Sequence, residues 1–584
     1  MESEILTLAR EWLNQDRDPT TRAEMQALVD RKDTLELERR LRQRLSFGTA
    51  GLRAAMGAGY SRMNSLTVIQ ATQGLAAYLV TQNHAATANG VVIGHDARHG
   101  SSTFARLAAA VFLAQDFDVY WLGQCHTPLV PFSVSRHGAD AGVMVTASHN
   151  PKLDNGYKVY WGNGCQIIPP HDRGIAQAIE ANLEPAEASW DVEALEKAGY
   201  AAKWVHDEAE ADYVQTMATA AGWSKKTRQA PVNFTYTPMH GVGRSVFETM
   251  LSTIEMKDGM HIVHSQADPD PEFPTVKFPN PEEKGALDQA IATATKYNDS
   301  LILANDPDAD RFAAAELVDG KWRQLTGNQL GVLLGMYALE QSQLRATNGT
   351  SARPAMLASA VSSRMLAHIA KVTGAFHFEE TLTGFKWLGN KARDLHKEGY
   401  QALYAYEEAI GFMLSDVVYD KDGIAAAALF LAAVQKWAAE GLTPWTKLQK
   451  LYAEFGHFEE ANTYLISPSP DTTKQVFEAV RASSPKAVGG RKILRWRDLT
   501  VGHDSATPDN VPVLPVDTSA QMITCELEGD VVFTVRGSGT EPKIKLYIEG
   551  RAETASAAKT AAEETLAALI GEWFRPEQYG LKLA

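Results

Sequence analysis

The sequence predicts an α/β protein: three tandem mixed α/β domains, then a C-terminal α+β domain. Three observations predict it: a length of 584 residues, strands alternating with helices, and a change of texture from about residue 456. At ~150 residues per domain the length accommodates about four domains. With 45% hydrophobic and 22% charged residues, the chain has the balance of a soluble globular protein that can bury several cores.

The first 45 or so residues are charge-rich and periodic. In LELERRLRQRL, Leu35, Leu37, Leu41 and Leu45 make a partly apolar helical stripe. The four glycines of FGTAGLRAAMGAGYSRMN end it. SLTVIQATQGLAAYLV then reads as a helix, GVVIGHD as a strand, FARLAAAVFLAQ as a helix and FDVYWLG as a strand. FSVSRHGADAGVMVTASHN adds another helix-to-strand step. Such alternation indicates βαβ units and a parallel sheet. It restarts near residue 231 with VNFTYTPMHGVG and closes with SLILANDPDAD, then restarts at PAMLASAVSS and runs to YQALYAYEEAIGF. EANTYLISP, KILRWRD, VVFTVRGSGTEPKIKLYIEG and the helix TASAAKTAAEETLAALIGEWF form the smaller last domain. The expected limits are 1–220, 221–335, 336–455 and 456–584. There is no strict internal repeat.

The formal charge of −15 disfavours nucleic acid and anionic membrane as partners, and an anionic substrate would need a locally basic cleft. Cys125, Cys165 and Cys525 form no C-x-x-C pair, so a disulfide framework and a structural zinc site are not expected. MESEILTLAR lacks the apolar core of a signal peptide. GIAAAALFLAAV is short and Ala-rich, a buried helix rather than a membrane span. A cytoplasmic, soluble protein is the expectation.

Several stretches carry candidate chemistry. Ser148, in TASHNPKLDNGYK, follows the strand-like GVMVTA, at the strand edge where open α/β sheets bind ligands. Asn150-Pro151 forces an extended or turn geometry there. A serine needs help to be a nucleophile. There is no G-x-S-x-G elbow, and the plain alternative is a serine capping a turn. In LILANDPDADRF an apolar strand runs into Asp306, Asp308 and Asp310, and period two puts three carboxylates on one side of an extended chain. Two carboxylates ~4 Å apart repel by about 4 kcal/mol at an effective dielectric near ~20, so three call for a cation; hard oxygen ligands favour Mg²⁺. An EF-hand would need Gly and Glu where Arg311 and Leu317 stand. The plain alternative is a solvated acidic turn.

Arg536-Gly537-Ser538-Gly539-Thr540 lies between two strands, with Lys543 and Lys545 beyond. It offers backbone N–H groups, hydroxyls and a guanidinium fork, a phosphate cradle or an ordinary hairpin loop. Glu407 and Glu408 follow a strand in YAYEEAIGFM; they suit sugar hydroxyls or acid–base work, or a helix N-terminus. Lys421 precedes a turn in DKDG, and Lys386 follows a glycine in TLTGFKWLG. Arg53 in FGTAGLRAAMG, Arg98 in GHDARHGS, and TPMHGVG read first as loops.

Together and in this order the motifs are specific. The chain resembles the α-D-phosphohexomutase superfamily through GTAGLR, TASHNP with DNGYK, DPDADR, TGFKW, YEEAIG with DKDG, and RGSGTEPK, spanning residues 48 to 550. The EEAIG form and the long N-terminal segment look most like its phosphoglucomutase-2 and phosphopentomutase branch. The resemblance implies four domains around a central cleft, contributing in turn a phosphoserine loop, a metal loop, a sugar loop and a phosphate loop. Ser148 would carry the phosphoryl group and, with Asp306, Asp308 and Asp310, touch Mg²⁺. Arg311 would add a positive contact, and Arg536, Ser538, Gly539 and Thr540 would hold the non-reacting phosphate. Glu407 would bind sugar hydroxyls, and Lys386 would also bind substrate. Lys158 and Lys421 match family positions proposed for proton transfer, with a depressed pKa suiting a base. Arg53 matches an arginine near the phosphoserine, and His149 is next to the nucleophile.

The implied reaction interconverts α-D-glucose 1-phosphate and glucose 6-phosphate, and ribose or deoxyribose 1- and 5-phosphates, through glucose 1,6-bisphosphate or its pentose counterpart. Ala409 stands where many members have Ser, which leaves room for pentoses. Phosphopentomutase as main activity, sugar-bisphosphate synthase and phosphomannomutase share every catalytic motif. A non-catalytic phosphosugar sensor or a metal-dependent phosphatase are the readings from other classes.

Overall fold

The computed structural model describes residues 2–48, 51–221, 223, 232–346, 353–414, 417–538 and 542–583. They divide into two bodies: Met1–Arg353 with Phe385–Gly441, and Pro354–Gly384 with Leu442–Ala584.

The first body begins with helices Glu2–Gln15, Pro19–Asp30 and Thr34–Leu41. The last is capped by Asp33, whose side chain accepts from Glu36 N–H at 3.2 Å. Leu37 and Leu41, one turn apart, are buried with Trp12, Met25 and Leu28. Leu35 is 64% exposed, so the apolar stripe is narrower than its leucines indicate. Helix Ser65–Gln82 is closed by a capping box between Asn64 and Thr67.

The first sheet contains β1 (Leu52–Ala55), β2 (Val91–His95), β3 (Val119–Gln124), β4 (Ala141–Val145), β5 (Asp154–Trp161) and β6 (Ala202–Trp204), in the order β1-β5-β4-β2-β3-β6. The β2, β3, β4 and β6 strands are parallel, joined through helices such as Ser101–Ala114 and Leu129–His137. β5 instead runs antiparallel to β4. The few residues between Val145 and Asp154 are too short for a crossover. The parallel βαβ core is as expected, and β5 and β1 add an antiparallel edge that the strand–helix alternation does not reveal.

The second sheet repeats this plan with β7 (Phe234–Thr237), β8 (Met260–Ile262), β9 (Leu301–Asn305), β10 (Phe312–Val318) and β11 (Lys321–Gln324), in the order β11-β10-β9-β7-β8. Its parallel strands β8, β7 and β9 meet an antiparallel β10–β11 edge.

Strands β12 (Arg353–Ser359) and β13 (His377–Thr381) pair in parallel in the second body. In the first body β14 (Tyr400–Glu407) and β15 (Gly411–Leu414) form an antiparallel hairpin. Helix Gly423–Ala439 follows, N-capped by Asp422 and buried along nearly its whole length, as its Ala-rich sequence predicts.

The rest of the second body is an antiparallel sheet. Its centre is β16 (His457–Glu460), β17 (Thr463–Ile466), β18 (Ala487–Val488), β19 (Arg491–Asp498), β20 (His503–Asp504), β21 (Met522–Leu527), β22 (Val531–Gly537) and β23 (Lys543–Ala552). Helices Pro470–Ser483 and Ala555–Ala568 accompany it. Among the described residues no helix is long and apolar enough to cross a membrane, and all three cysteines are free and buried.

Candidate active site

Three turns of the first body converge on one buried polar centre. The first lies between β4 and β5. Asn150 N–H donates to Ala147 O at 3.1 Å, and Ser148 sits at its tip with φ +53°, a left-handed conformation that costs a serine energy. Hydrogen bonds hold it there. Ser148 N–H donates to Thr146 Oγ1 at 2.9 Å, and Thr146 Oγ1 donates to Asp96 Oδ2 at 2.6 Å. Arg98 Nη2 donates to the carbonyls of Ser148 and Asn150, and Nη1 to that of Pro151. Arg98 pairs with Asp96 at 3.2 Å, both side chains 1% exposed. Sequence reasoning took Arg98 for a loop residue and missed Asp96 and Thr146; an Asp-x-Arg directly after an apolar strand was the available signal.

The second turn joins β9 to β10 and carries Asp306, Asp308 and Asp310, all fully buried. It is not the extended segment that period two predicts. Ala309 N–H bonds back to Asp306 O at 2.9 Å, and Ala309 has φ +55°. The chain curls, and one oxygen of each carboxylate falls within 4.8 Å of the others. Asp308 Oδ1 and Asp310 Oδ1 have no hydrogen-bond partner. Three buried carboxylates with two orphaned oxygens fit a hard divalent cation such as Mg²⁺. Burial, then the neighbouring Asp308 and Asp310, pushes Asp306 well above the usual carboxylate range. Burial would raise Asp310 too, but Lys158, Lys421 and Arg311 pull it far below that range. Thr127 Oγ1 donates to Asp308 Oδ2 at 2.5 Å, another contact the sequence did not reveal.

The two turns meet at Ser148, whose Oγ donates to Asp306 Oδ2 at 3.0 Å. His149 Nδ1 is 3.2 Å from Ser148 Oγ. Desolvation, then Arg311 and Arg53, holds this imidazole neutral, well below its usual pKa.

Cations surround the centre. Lys158 Nζ donates to Asp308 Oδ2 at 2.7 Å and Asp310 Oδ2 at 2.8 Å. Lys421 Nζ is 3.3 Å from Asp310 Oδ2. Arg311 Nε is 3.9 Å from Asp310 Oδ1 and its backbone N–H donates to Asp306 Oδ1 at 3.0 Å, while Arg53 Nη1 donates to Asn150 Oδ1 at 3.3 Å. The expected depressed lysine pKa is not found here. Desolvation does disfavour charge on Lys158 and Lys421, but the carboxylates overcome it: Asp308 and Asp310 for Lys158, Asp310 and Asp420 for Lys421. Both are ammonium donors in this arrangement.

The third turn begins at Glu407, the buried last residue of β14. Glu407 and Glu408 lie in a hairpin, not at a helix N-terminus. Arg311 Nη1 donates to Ala409 O at 3.1 Å and Phe312 N–H to Ile410 O at 3.1 Å, which ties this hairpin to the acidic turn. Gly423 approaches so closely that a Cβ there would lie 2.2 Å from Arg311 O. Lys386, half-buried, opens helix Phe385–Lys397.

In the second body, Arg536 lies near the end of β22, and Ser538 N–H donates to Lys543 O at 2.8 Å at the start of β23. Gly539 and Thr540 lie outside the described residues.

Comparison with known proteins places this geometry in a family. Models of the phosphoglucomutase/phosphomannomutase α/β/α domains I, II and III match residues 44–186, 211–318 and 326–455, and that of the C-terminal domain matches 517–567. A phosphoribomutase of Saccharomyces cerevisiae is 45% identical, covering 98% of this chain and 96% of its own. A human phosphopentomutase is 43% identical, with coverage of 98% and 96%. The open form of a Paramecium phosphoglucomutase, parafusin, shares the fold at a TM-score of 0.66 and 18% identity, covering 92% of this chain and 96% of that one. The chain belongs to the phosphoglucomutase/phosphomannomutase, or α-D-phosphohexomutase, family, in the branch of its phosphopentomutase relatives.

Proposed function

We propose that this protein is a phosphosugar mutase, an intramolecular phosphotransferase that carries its phosphoryl group on Ser148. Its main substrates are ribose and deoxyribose 1- and 5-phosphates, and it also interconverts α-D-glucose 1-phosphate and glucose 6-phosphate. The observation that carries the reading is the Ser148 hydroxyl held 3.0 Å from a buried three-carboxylate cluster and ringed by cations. The names of the relatives and Ala409 support the pentose preference.

In the forward half-reaction the free hydroxyl oxygen of a sugar 1-phosphate forms the new O–P bond as the Ser148 Oγ–P bond breaks. The hydroxyl proton takes the place of the phosphoryl group on Oγ. The sugar bisphosphate turns over, its other sugar O–P bond breaks as that phosphoryl group returns to Oγ, and the Oγ proton passes to the freed sugar oxygen. Lys158 and Lys421, held as ammonium groups on Asp308 and Asp310, would supply protons to the oxygens that gain and lose phosphorus. Neutral His149, close to Oγ, orients the hydroxyl. Arg53 and Arg311 attract the anionic substrate into an otherwise acidic protein. Glu407 and Lys386 bind the sugar, and Arg536, Ser538, Gly539 and Thr540 bind its idle phosphate. Asp306, Asp308, Asp310 and Ser148 hold Mg²⁺, which supplies charge neutralisation to a loose, metaphosphate-like transition state.

A turnover panel tests this. Purified protein with Mg²⁺ and a trace of glucose 1,6-bisphosphate is given ribose, glucose and mannose 1-phosphates. Ribose 1-phosphate is expected to react at least ~10-fold better by kcat/KM, a difference of about 1.4 kcal/mol. Equal inertness on all three, or free phosphate as the main product, would overturn it.

A further inference from the structure

The reaction above does not use the buried carboxylate of Asp420, whose hydrogen bonds among the described residues go to Tyr160, Gln166 and Lys421. Its position is nonetheless tightly specified. Asp420 is fully buried. Oδ2 accepts from Tyr160 Oη at 2.7 Å and from Gln166 Nε2 at 2.8 Å. Oδ1 accepts the backbone N–H of Lys421 at 2.8 Å and lies 3.6 Å from Lys421 Nζ. The two donors arrive together because Tyr160, near the end of β5, forms an antiparallel bridge with Gln166. Alternate residues of β5 share one face. Lys158 and Tyr160 therefore point the same way, one to the acidic cluster and the other to Asp420.

The lysine beside it is equally constrained. Gly411 leaves room for the Lys421 stem: a Cβ there would lie 2.6 Å from Cδ and 2.9 Å from Cγ. The Phe385 ring is 5.3 Å from Nζ. Lysine is a flexible point charge on four rotatable carbons, so holding its ammonium at one place takes outside contacts. Asp310 and Asp420 flank it on the polar side.

We infer that Asp420, clamped by Tyr160 and Gln166, is a positioning residue that fixes the Lys421 ammonium for phosphoryl transfer. The inference rests on the mutase reading above. It makes β5 the common support of both lysines, Lys158 directly and Lys421 through Tyr160 and Asp420.

A double-mutant cycle on the full chain tests it, with turnover of ribose 1-phosphate as readout. Asp420→Asn is expected to lower kcat by about 10-fold or more with KM within about twofold. In a Lys421→Ala background the same change is expected to cost less than about twofold, because the group it positions is gone. An equal loss in both backgrounds, or none in the first, overturns the inference. Should Asp420→Asn fail to fold, Tyr160→Phe keeps the ring, removes one donor and is read in the same cycle. A crystal structure of either variant separates this inference from the mutase reading. Displacement of Lys421 Nζ by about 1 Å or more with the Ser148 turn unchanged supports positioning whatever the substrate. An unmoved Nζ refutes it, and a wild-type protein inert toward sugar phosphates counts against the mutase reading alone.

Discussion

The turn after β4 and the turn after β9 are built to opposite ends. Each has a non-glycine residue in the left-handed region, Ser148 at φ +53° and Ala309 at φ +55°. In the first, Asp96, Arg98 and Thr146 bond to one another and to the backbone, and Arg98 Nε, without a hydrogen bond of its own, lies 3.2 Å from its counter-ion Asp96. In the second, three carboxylates are crowded together and two oxygens are left orphaned. One turn spends its polar groups on fixing a hydroxyl; the other keeps its charge for a ligand. Breaking the first should therefore cost stability as well as activity, while breaking the second should cost activity and metal binding with little loss of stability.

The largest effect tests the point where the turns meet. Ser148→Ala is expected to lower mutase turnover by about 10⁴-fold or more with the fold intact by circular dichroism. In the acidic turn, chelation of divalent metal should abolish turnover reversibly. Mg²⁺ at ~100 times its Kd should stabilise the wild type by about 2.7 kcal/mol in thermal melts. Asp308→Asn should lose that stabilisation, while in the metal-free protein relief of like-charge repulsion offsets the weakened Lys158 pair, which keeps Asp310, so the melting loss stays small. In the hydrogen-bonded turn, Arg98→Ala leaves Asp96 buried without its cation and should cost about 3–5 kcal/mol in urea unfolding. If the two variants lose stability equally, the contrast fails.

The turn before helix Gly423–Ala439 offers a pH test. Asp422, which accepts from Tyr213 Oη at 2.8 Å, is raised to about 6, chiefly by burial. Its folded pKa lies above the unfolded one, so folding takes up a proton. The contribution is full below about pH 4 and is lost as pH rises through about 6, amounting to about 3 kcal/mol. Asp422→Asn, still a good N-cap, should flatten that slope in unfolding measured from about pH 4 to 8. The smallest effect concerns the sugar: Ala409→Ser should shift kcat/KM toward glucose 1-phosphate by a few-fold, about 1 kcal/mol.

Much of this was legible because apolar runs ending in Gly, Pro or Asp mark strands and their loops, and the Asp306–Asp310 cluster announces its charge. The curl of that cluster was not, since Ala309 gives no glycine signal for its left-handed backbone. Nor was the antiparallel β5, whose direction follows from a short connection rather than from its own residues. Partnerships across long separations were hidden as well: Thr146 with Asp96 spans 50 residues, and Tyr160 with Asp420 spans 260. The N-terminal leucines marked a helix, but only packing distinguishes buried Leu37 from exposed Leu35.

The central claim is that Ser148 carries the phosphoryl group, and the most direct measurement is phosphopeptide mass spectrometry. Protein treated with Mg²⁺ and glucose 1,6-bisphosphate is analysed before and after addition of ribose 1-phosphate. The account predicts one phosphoryl group on Ser148, discharged by the pentose phosphate. Phosphate on another residue, or full turnover retained by Ser148→Ala, would contradict it.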